Sequence, residues 1–496
     1  MRSLLSQNAS MPEHPDAIEF GTDGWRGIIA QEFTFANVCR VTQAIAHYLE
    51  TAYDRSRPVL VGYDTRFLAE TFAQTAATVL AEQGWQVLLV DRDCPTPVLA
   101  YSAHELQSAG ALMFTASHNP SIYCGIKYIP DYAGPATTDI TDAIAACLDI
   151  SDPSPAAASG SITLFNPASS YQQFVLTLLD LDRLRVAGLQ VKYDALYSTS
   201  RGYLDLLLKQ CGCTVETLHA QRDVLFGNGV PEPKGEQLRD LVATVQRDRA
   251  AFGVATDGDG DRFGIVDEQG NILEPIQVLL LLVRHLVEQK GKTGAIVRTV
   301  ATTHLLNILA ERYGLNLIET PVGFKHIGAV MRQIPVLIGG EESGGLSIGG
   351  HIPEKDGILA GLLVAEAIAC AGKPLSQLVA EAVAAADGPR FNHRIDFHLS
   401  SAEKQLVLAA FGDRPLSNLA GVPIKSIGSQ DGIKLYLEDD SWVLLRPSGT
   451  EPLLRVYVEA RSLLQQQQML VQLRQFIDQL LCSTHESLIF SSVNDG

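Results

Sequence analysis

Ala109-Gly110-Ala111-Leu112-Met113-Phe114-Thr115-Ala116-Ser117-His118-Asn119-Pro120 is apolar and rich in small residues over its first half, the composition of a short buried strand. It then stops in Thr, Ser, His, Asn and Pro, residues that favour turns. A hydroxyl is therefore predicted where a buried strand ends, the place where open α/β sheets hold their ligands. That makes Ser117 the candidate for the reacting atom. By itself the stretch suits an ordinary strand-to-loop turn equally well, with Ser and Asn making local hydrogen bonds.

The same rhythm runs outward on both sides. A helix is predicted over 35–53, with Val38, Val41, Ile45, Tyr48 and Leu49 on one face, then a strand at 58–63, a helix at 69–83 and a strand at 85–90. This β-α-β-α order with apolar strands predicts a largely parallel sheet covered on both faces. Residues 151–160, SDPSPAAASG, form the clearest linker. The rhythm restarts with a helix over 171–184 and strands at 189–197, 213–218 and 251–256. A third segment has a helix near 276–288, strands at 295–300, 317–319 and 336–338, and helices to about 386. From Arg390 alternating stretches at 432–437, 441–445 and 454–459 predict an antiparallel sheet closed by a Gln-rich helix over 463–481. The expected organisation is a flexible tail at 1–17, three related mixed α/β domains at 18–155, 156–270 and 271–388, and an α+β domain at 389–496. A buried strand ending in a glycine-rich polar loop recurs at Ser117, Asp257 and Glu341, so the three strand ends are expected to converge on one site.

At 496 residues the chain exceeds what a single core supports. With 46% hydrophobic and 19% charged residues, it has enough apolar material for well-buried cores. A net charge of −18 argues against a nucleic-acid surface or an anionic membrane as partner. It leaves room for a small anionic ligand where basic residues converge. Eight scattered cysteines without a CxxC pair indicate neither a disulfide framework nor a zinc site, and a reducing cytoplasm is the simplest setting. No signal-like segment and no uninterrupted apolar run of membrane-span length is seen, so a soluble, cytoplasmic protein is expected.

Asp257, Asp259 and Asp261 alternate with glycine in DGDGDR. In extended backbone, positions i, i+2 and i+4 face the same way, so three carboxylates would crowd together and call for a divalent cation. All-oxygen ligands favour Mg²⁺, Mn²⁺ or Ca²⁺ over zinc. An EF-hand is rejected because Arg262 stands where that loop needs glycine and the flanks read as strands. The stretch Arg446-Pro447-Ser448-Gly449-Thr450-Glu451-Pro452, with Arg455 just beyond, offers a guanidinium, hydroxyls and backbone N–H groups suited to a phosphate. Glu341 and Ser343, on a glycine-rich loop, can bond neighbouring hydroxyls as a sugar requires. Lys325 and Lys355 suit either a solvated surface or the site. A cation site, a serine at a strand end and a phosphate grip together imply phosphoryl transfer, which needs positioning and charge neutralisation more than covalent machinery. No nucleotide-binding loop or kinase motif set is present, so a nucleotide donor is not indicated.

Five motifs in chain order, FGTDGWRG (20–27), TASHNP (115–120) with GIK (125–127), DGDGDR (257–262), GGEESGG (339–345) and RPSGTEP (446–452), resemble the α-D-phosphohexomutase family over about residues 18 to 480. The resemblance implies four domains around a central cleft. It implies that Ser117 is a phosphoserine and that Asp257, Asp259 and Asp261 hold Mg²⁺ together with the Ser117 phosphoryl group. Arg262 and Arg26 would lie beside the transferring group, and Lys127 and His118 would transfer a proton or steady the phosphate. Glu341 and Ser343, helped by Lys325 and Lys355, would bind the sugar. Arg446, Ser448, Gly449, Thr450 and Arg455 would hold the non-reacting phosphate. The reaction implied runs through a 1,6-bisphosphate, with glucose 1,6-bisphosphate as activator.

Three positions depart from patterns common in that family. Cys124 stands where Asn is frequent. Glu342 and Gly345 replace the Met and His of the GEMSGH loop typical of phosphomannomutases, while the glucosamine branch more often carries Gln at Glu342. Glucose phosphate is therefore the expected substrate, phosphomannomutase or dual activity the alternative, and a monomer or homodimer the expected state. A sugar-phosphate phosphatase and a silent sugar-phosphate binder are the competing readings. The intact Ser117, aspartates and RPSGTEP argue against the binder.

Overall fold

The computed structural model describes residues 18–21, 24–148, 150, 159–413, 416–448 and 452–493. The expected tail at 1–17 and most of the linker at 151–160 lie outside the described residues.

The first unit comprises β1 (Trp25–Ile28), α1 (Phe35–Ala52), β2 (Val59–Tyr63), α2 (Ala69–Glu82), β3 (Gln86–Val90), α3 (Thr96–Glu105), β4 (Gly110–Phe114), β5 (Tyr123–Ile129), α4 (Thr138–Ala145) and β6 (Ser161–Phe165). Its sheet runs β1-β5-β4-β2-β3-β6. The β2, β3, β4 and β6 strands are parallel, while β5 runs antiparallel between β4 and the edge strand β1. Because β6 pairs with β3 in register from Gln86↔Ser161 to Val90↔Phe165, the first sheet continues past residue 155, where composition alone placed the break.

The second unit holds α5 (Ala168–Thr177), α6 (Leu181–Ala187), β7 (Gln190–Asp194), α7 (Leu204–Gln210), β8 (Thr214–Leu218), α8 (Arg239–Asp248), β9 (Phe252–Thr256), β10 (Phe263–Asp267) and β11 (Ile272–Leu273). The single helix expected over 171–184 is two, because Asp180 caps a new start by accepting a hydrogen bond from the Arg183 N–H. The third unit holds α9 (Pro275–Arg284), β12 (Ala295–Thr299), α10 (Leu305–Tyr313), β13 (Leu317–Thr320), α11 (Phe324–Met331), β14 (Val336–Gly340), β15 (Leu346–Ile348), α12 (Gly357–Ala371) and α13 (Leu375–Ala385). These sheets run β11-β10-β9-β7-β8 and β13-β12-β14-β15, each mostly parallel with antiparallel strands at one edge.

The fourth unit holds β16 (Phe391–His398), α14 (Ser401–Asp413), β17 (Asn418–Leu419), β18 (Val422–Gly428), β19 (Ile433–Leu437), β20 (Trp442–Pro447), β21 (Leu453–Ala460) and α15 (Leu463–Val493). Its sheet is antiparallel, in the order β16-β21-β20-β19-β18-β17, with its own core cluster.

The apolar helix α12 is buried from Gly357 to Ile368 and packs against elements of both the second and third units. Its Glu366 lies in that core and is satisfied by His285 Nε2 at 2.8 Å, Lys290 Nζ at 2.5 Å and the Asp180 N–H at 2.5 Å, as a buried charge requires. No single described helix is long and apolar enough to cross a membrane, and α12 and α13 bend against each other by 91°.

The third and fourth units meet around Lys434 of β19. Its ammonium is buried, donates to the Val300 carbonyl at 2.6 Å and lies 4.2 Å from the centre of the Trp442 ring. Burial, reinforced by Arg298, pulls its pKa down to about 7. Between pH 7 and the ordinary lysine range, the unfolded chain therefore binds a proton that the folded chain does not, so folding stability gains as pH rises. Thermal unfolding at pH 7 and pH 9 should show wild type gaining about 1–2 kcal/mol over Lys434→Met across that interval. Equal pH responses in the two proteins would refute the assignment.

Candidate active site

Ser117 sits three residues beyond β4, buried, with φ of +51°. A non-glycine residue in that region needs outside support, and a buried arginine supplies it. Arg66, just past the end of β2, donates to the carbonyls of Ser117 and Asn119 at 2.7 Å through Nη2, and to those of Pro120 at 2.7 Å and Tyr123 at 2.9 Å through Nη1. Its Nε donates to Asp64 Oδ2 at 3.0 Å. The same carboxylate oxygen accepts from Thr115 Oγ1 at 2.6 Å, and Thr115 Oγ1 in turn accepts from the Ser117 N–H at 2.8 Å. The serine loop is thus clamped through its own backbone. Phe226 of the second unit covers the guanidinium, its ring centre 5.2 Å away.

The Ser117 hydroxyl donates to Asp257 Oδ2 at 2.8 Å and lies 3.3 Å from His118 Nδ1. DGDGDR is a turn between β9 and β10, not the extended segment predicted from its spacing. The Gly260 N–H closes onto the Asp257 carbonyl at 3.2 Å, with Gly260 at φ +74°. Gly258 presses so closely on the serine loop that a Cβ would fall 2.3 Å from the Ser117 carbonyl oxygen. The carboxylates converge nonetheless: Asp257, Asp259 and Asp261 are buried, each with an oxygen within 4.8 Å of the others'.

Cations from two other units reach this turn. Lys127, on β5 opposite Met113 of β4, donates to Asp259 Oδ2 at 2.8 Å and Asp261 Oδ2 at 3.1 Å. Lys355 of the third unit lies 3.4 Å from Asp261 Oδ2. Burial alone would push Asp261 up, but Lys127, Lys355 and Arg262 hold it below the usual carboxylate range. Burial and the neighbouring Asp261 and Asp259 push Asp257 well above it. Oδ1 of Asp259 and Oδ1 of Asp261 are buried without a hydrogen-bond partner. Hard oxygen donors with unspent lone pairs in one buried cluster fit a small divalent cation.

Arg26, on β1 opposite Gly125, donates to Asn119 Oδ1 at 3.1 Å. Burial, with Arg262 and Arg26 adding to it, lowers His118 to about 2, which leaves a neutral imidazole beside the serine. Glu341 follows β14 and is buried beside Lys355; burial raises it to about 7 against the pull of that lysine. Glu342 accepts from Thr299 Oγ1 at 3.1 Å and Thr302 Oγ1 at 3.4 Å. The Cys124 side chain belongs to the apolar core of the first unit.

Among the described residues, the other predicted side chains make no hydrogen bond to this cluster. Ser343 is exposed on the turn after β14. Lys325, on α11, donates to Thr138 Oγ1 of the first unit at 3.0 Å. Arg446 and Arg455 face each other across β20 and β21 in the fourth unit, and the Ser448 carbonyl accepts from Lys404 Nζ at 3.1 Å. Gly449 and Thr450 lie outside the described residues. Like charges in directly opposed strand positions repel, and an anion beside the pair would offset that repulsion.

Four family descriptions match in chain order: "Phosphoglucomutase/phosphomannomutase, alpha/beta/alpha domain I" over residues 17–153, domain II over 169–270, domain III over 274–386, and the C-terminal domain over 405–475. The chain belongs to the phosphoglucomutase/phosphomannomutase family. A phosphoglucomutase/phosphomannomutase from Thermococcus kodakarensis is 30% identical over 448 residues, covering 89% of this chain and 94% of the relative. A chain named probable phosphoglucosamine mutase, from Methanobrevibacter smithii, is 33% identical with the same coverage. A crystal structure from Thermus thermophilus bearing the name phosphomannomutase superposes with a TM-score of 0.82 at 34% identity, covering 94% of this chain and 99% of that one. Membership makes the chain an enzyme of the phosphohexomutase class, an isomerase.

For a phosphohexomutase fold, the clamp on the serine loop is the part that motif reading missed. Asp64, Arg66 and Thr115 carry it, and Thr96 adds a 2.7 Å hydrogen bond from Oγ1 to Asp259 Oδ2. The available signal was an Asp and an Arg two residues apart directly after the buried strand 58–63. Breaking one side of a buried ion pair costs about 3–5 kcal/mol, so Arg66→Ala should lose about that much in urea unfolding. A loss below about 1 kcal/mol would show that the loop holds its shape without the clamp.

Proposed function

We propose that the enzyme interconverts glucose 1-phosphate and glucose 6-phosphate through phosphorylated Ser117. The observation that carries this reading is the Ser117 hydroxyl, 2.8 Å from one of three clustered buried carboxylates and clamped by its own backbone. The facing Arg446 and Arg455 support a second, non-reacting phosphate held elsewhere on the substrate. In the proposed cycle the phosphoryl group leaves Ser117 Oγ for the free hydroxyl of the hexose monophosphate, giving a 1,6-bisphosphate. The bisphosphate turns end for end and returns its other phosphoryl group to Ser117.

Asp257, Asp259 and Asp261 would hold Mg²⁺, which when bound neutralises charge on the transferring group. Arg66 and Thr115 keep the serine loop in its strained conformation. Lys127 and Arg262 sit where charge develops, and neutral His118, beside Ser117, steadies the phosphate or transfers a proton. Glu341 and Ser343, helped by Lys325 and Lys355, bind the sugar hydroxyls. Arg446, Ser448, Gly449, Thr450 and Arg455 grip the remaining phosphate. The GGEESGG loop supports glucose over mannose, while the relative named a phosphoglucosamine mutase makes glucosamine phosphate the second substrate to compare.

With glucose 1-phosphate, Mg²⁺ and a trace of glucose 1,6-bisphosphate, glucose 6-phosphate should form, and EDTA should abolish the reaction. Ser117→Ala should lose at least about 10³ in kcat with an unchanged thermal midpoint. Release of free phosphate without isomerisation would make the enzyme a phosphatase. A kcat/KM higher for glucosamine phosphate than for glucose phosphate would move the substrate assignment to that branch.

A further inference from the structure

The turn between β18 and β19 carries an acidic residue that none of the motifs contains. Asp431 Oδ2 accepts two hydrogen bonds from different units: one from Arg446 Nε at 2.8 Å and one from the Val322 N–H at 2.9 Å. Val322 lies in the short segment of the third unit between β13 and α11, the helix that bears Lys325. The neighbouring Gln430 reinforces the contact, its Nε2 lying 3.4 Å from the Glu319 carbonyl oxygen. Both side chains of the ion pair are mostly buried, Arg446 at 15% and Asp431 at 22% exposure. Among the described residues, Asp431 is the one hydrogen-bond partner of the Arg446 guanidinium.

The backbone enforces this approach. Gly432 has φ of +99°, and a Cβ there would fall 2.2 Å from the Leu445 carbonyl oxygen and 3.0 Å from Arg446 Cα. The turn is therefore pressed against the strand that carries the arginine. A guanidinium whose Nε is committed to a carboxylate still offers its Nη1/Nη2 edge, which matches two oxygens of a phosphate. Fixing the long arginine side chain beforehand removes part of the ordering cost of binding. The same carboxylate offsets some of the repulsion between Arg446 and Arg455.

We propose that Asp431 is a positioning residue for substrate affinity: it aims Arg446 at the non-reacting phosphate and ties that grip to the sugar-facing segment of the third unit. The inference rests on Arg446 holding that phosphate. Because its carboxylate bonds both units, Asp431 sets the separation between the phosphate grip and the sugar-binding segment. It touches no reacting atom, so it acts on binding and leaves the chemical step alone.

The test is a mutant cycle in the full-length enzyme with glucose 1-phosphate as substrate. Asp431→Asn keeps an oxygen for the Val322 N–H and removes the charge facing Arg446, so the joint between units is retained; the thermal midpoint checks this. It weakens the bond to Arg446 from charge-assisted to neutral, so KM should rise about fivefold, with kcat within about twofold. Arg446→Ala should raise KM further, and adding Asp431→Asn to it should change nothing more. An unchanged KM in Asp431→Asn, with Arg446→Ala impaired, would overturn the inference and leave the phosphate reading standing. Additive effects in the double variant would overturn it too, since Asp431 would then not act through Arg446. An unchanged KM in Arg446→Ala would remove the phosphate reading itself, and the inference with it.

Discussion

Three carboxylates buried in one six-residue turn set the terms for the molecule. Asp257, Asp259 and Asp261 present oxygens within 4.8 Å of one another, and at an effective dielectric near 20 each charged pair repels by roughly 3 kcal/mol or more. Among the described residues, no single unit carries enough positive charge beside that turn to offset this. The first sheet supplies Lys127 from its antiparallel edge, and the third unit supplies Lys355 from the segment before α12. With Arg262 of the turn itself, these cations from the neighbouring units hold Asp261 ionised.

The serine loop inherits its geometry from the same meeting of units. Gly258 of the aspartate turn lies against the Ser117 carbonyl, and Arg66 donates to that same carbonyl. Ser117 is thereby fixed at a positive φ, with its hydroxyl toward Asp257. Rigid placement of this kind suits phosphoryl transfer, where positioning and charge stabilisation carry most of the catalysis. The fourth unit adds the facing pair Arg446 and Arg455.

Much of this was legible in the chain because its chemistry sits at the ends of buried strands. Ser117, Asp257 and Glu341 stand out as polar residues close after apolar runs, and the alternating aspartates announce a carboxylate cluster able to hold a cation even though the backbone there is a turn. Partners distant in sequence were not legible. Arg66 meets the carbonyls of Ser117 and Asn119 across more than fifty residues, and backbone acceptors leave no mark on composition. The β6 strand joins the first sheet across a linker because pairing with β3 decides its place. The break between α5 and α6 turns on one capping aspartate, a local signal that the continuous apolar pattern obscured.

The central claim is that Ser117 carries the phosphoryl group, and its most direct test is to find that group on the protein. Incubation with glucose 1,6-bisphosphate labelled in its phosphoryl groups, followed by proteolysis and mass spectrometry, should place one phosphate on Ser117. Chasing with unlabelled glucose 1-phosphate should remove the label at the rate of turnover. Label on another residue, or full turnover with Ser117 never phosphorylated, would contradict the account.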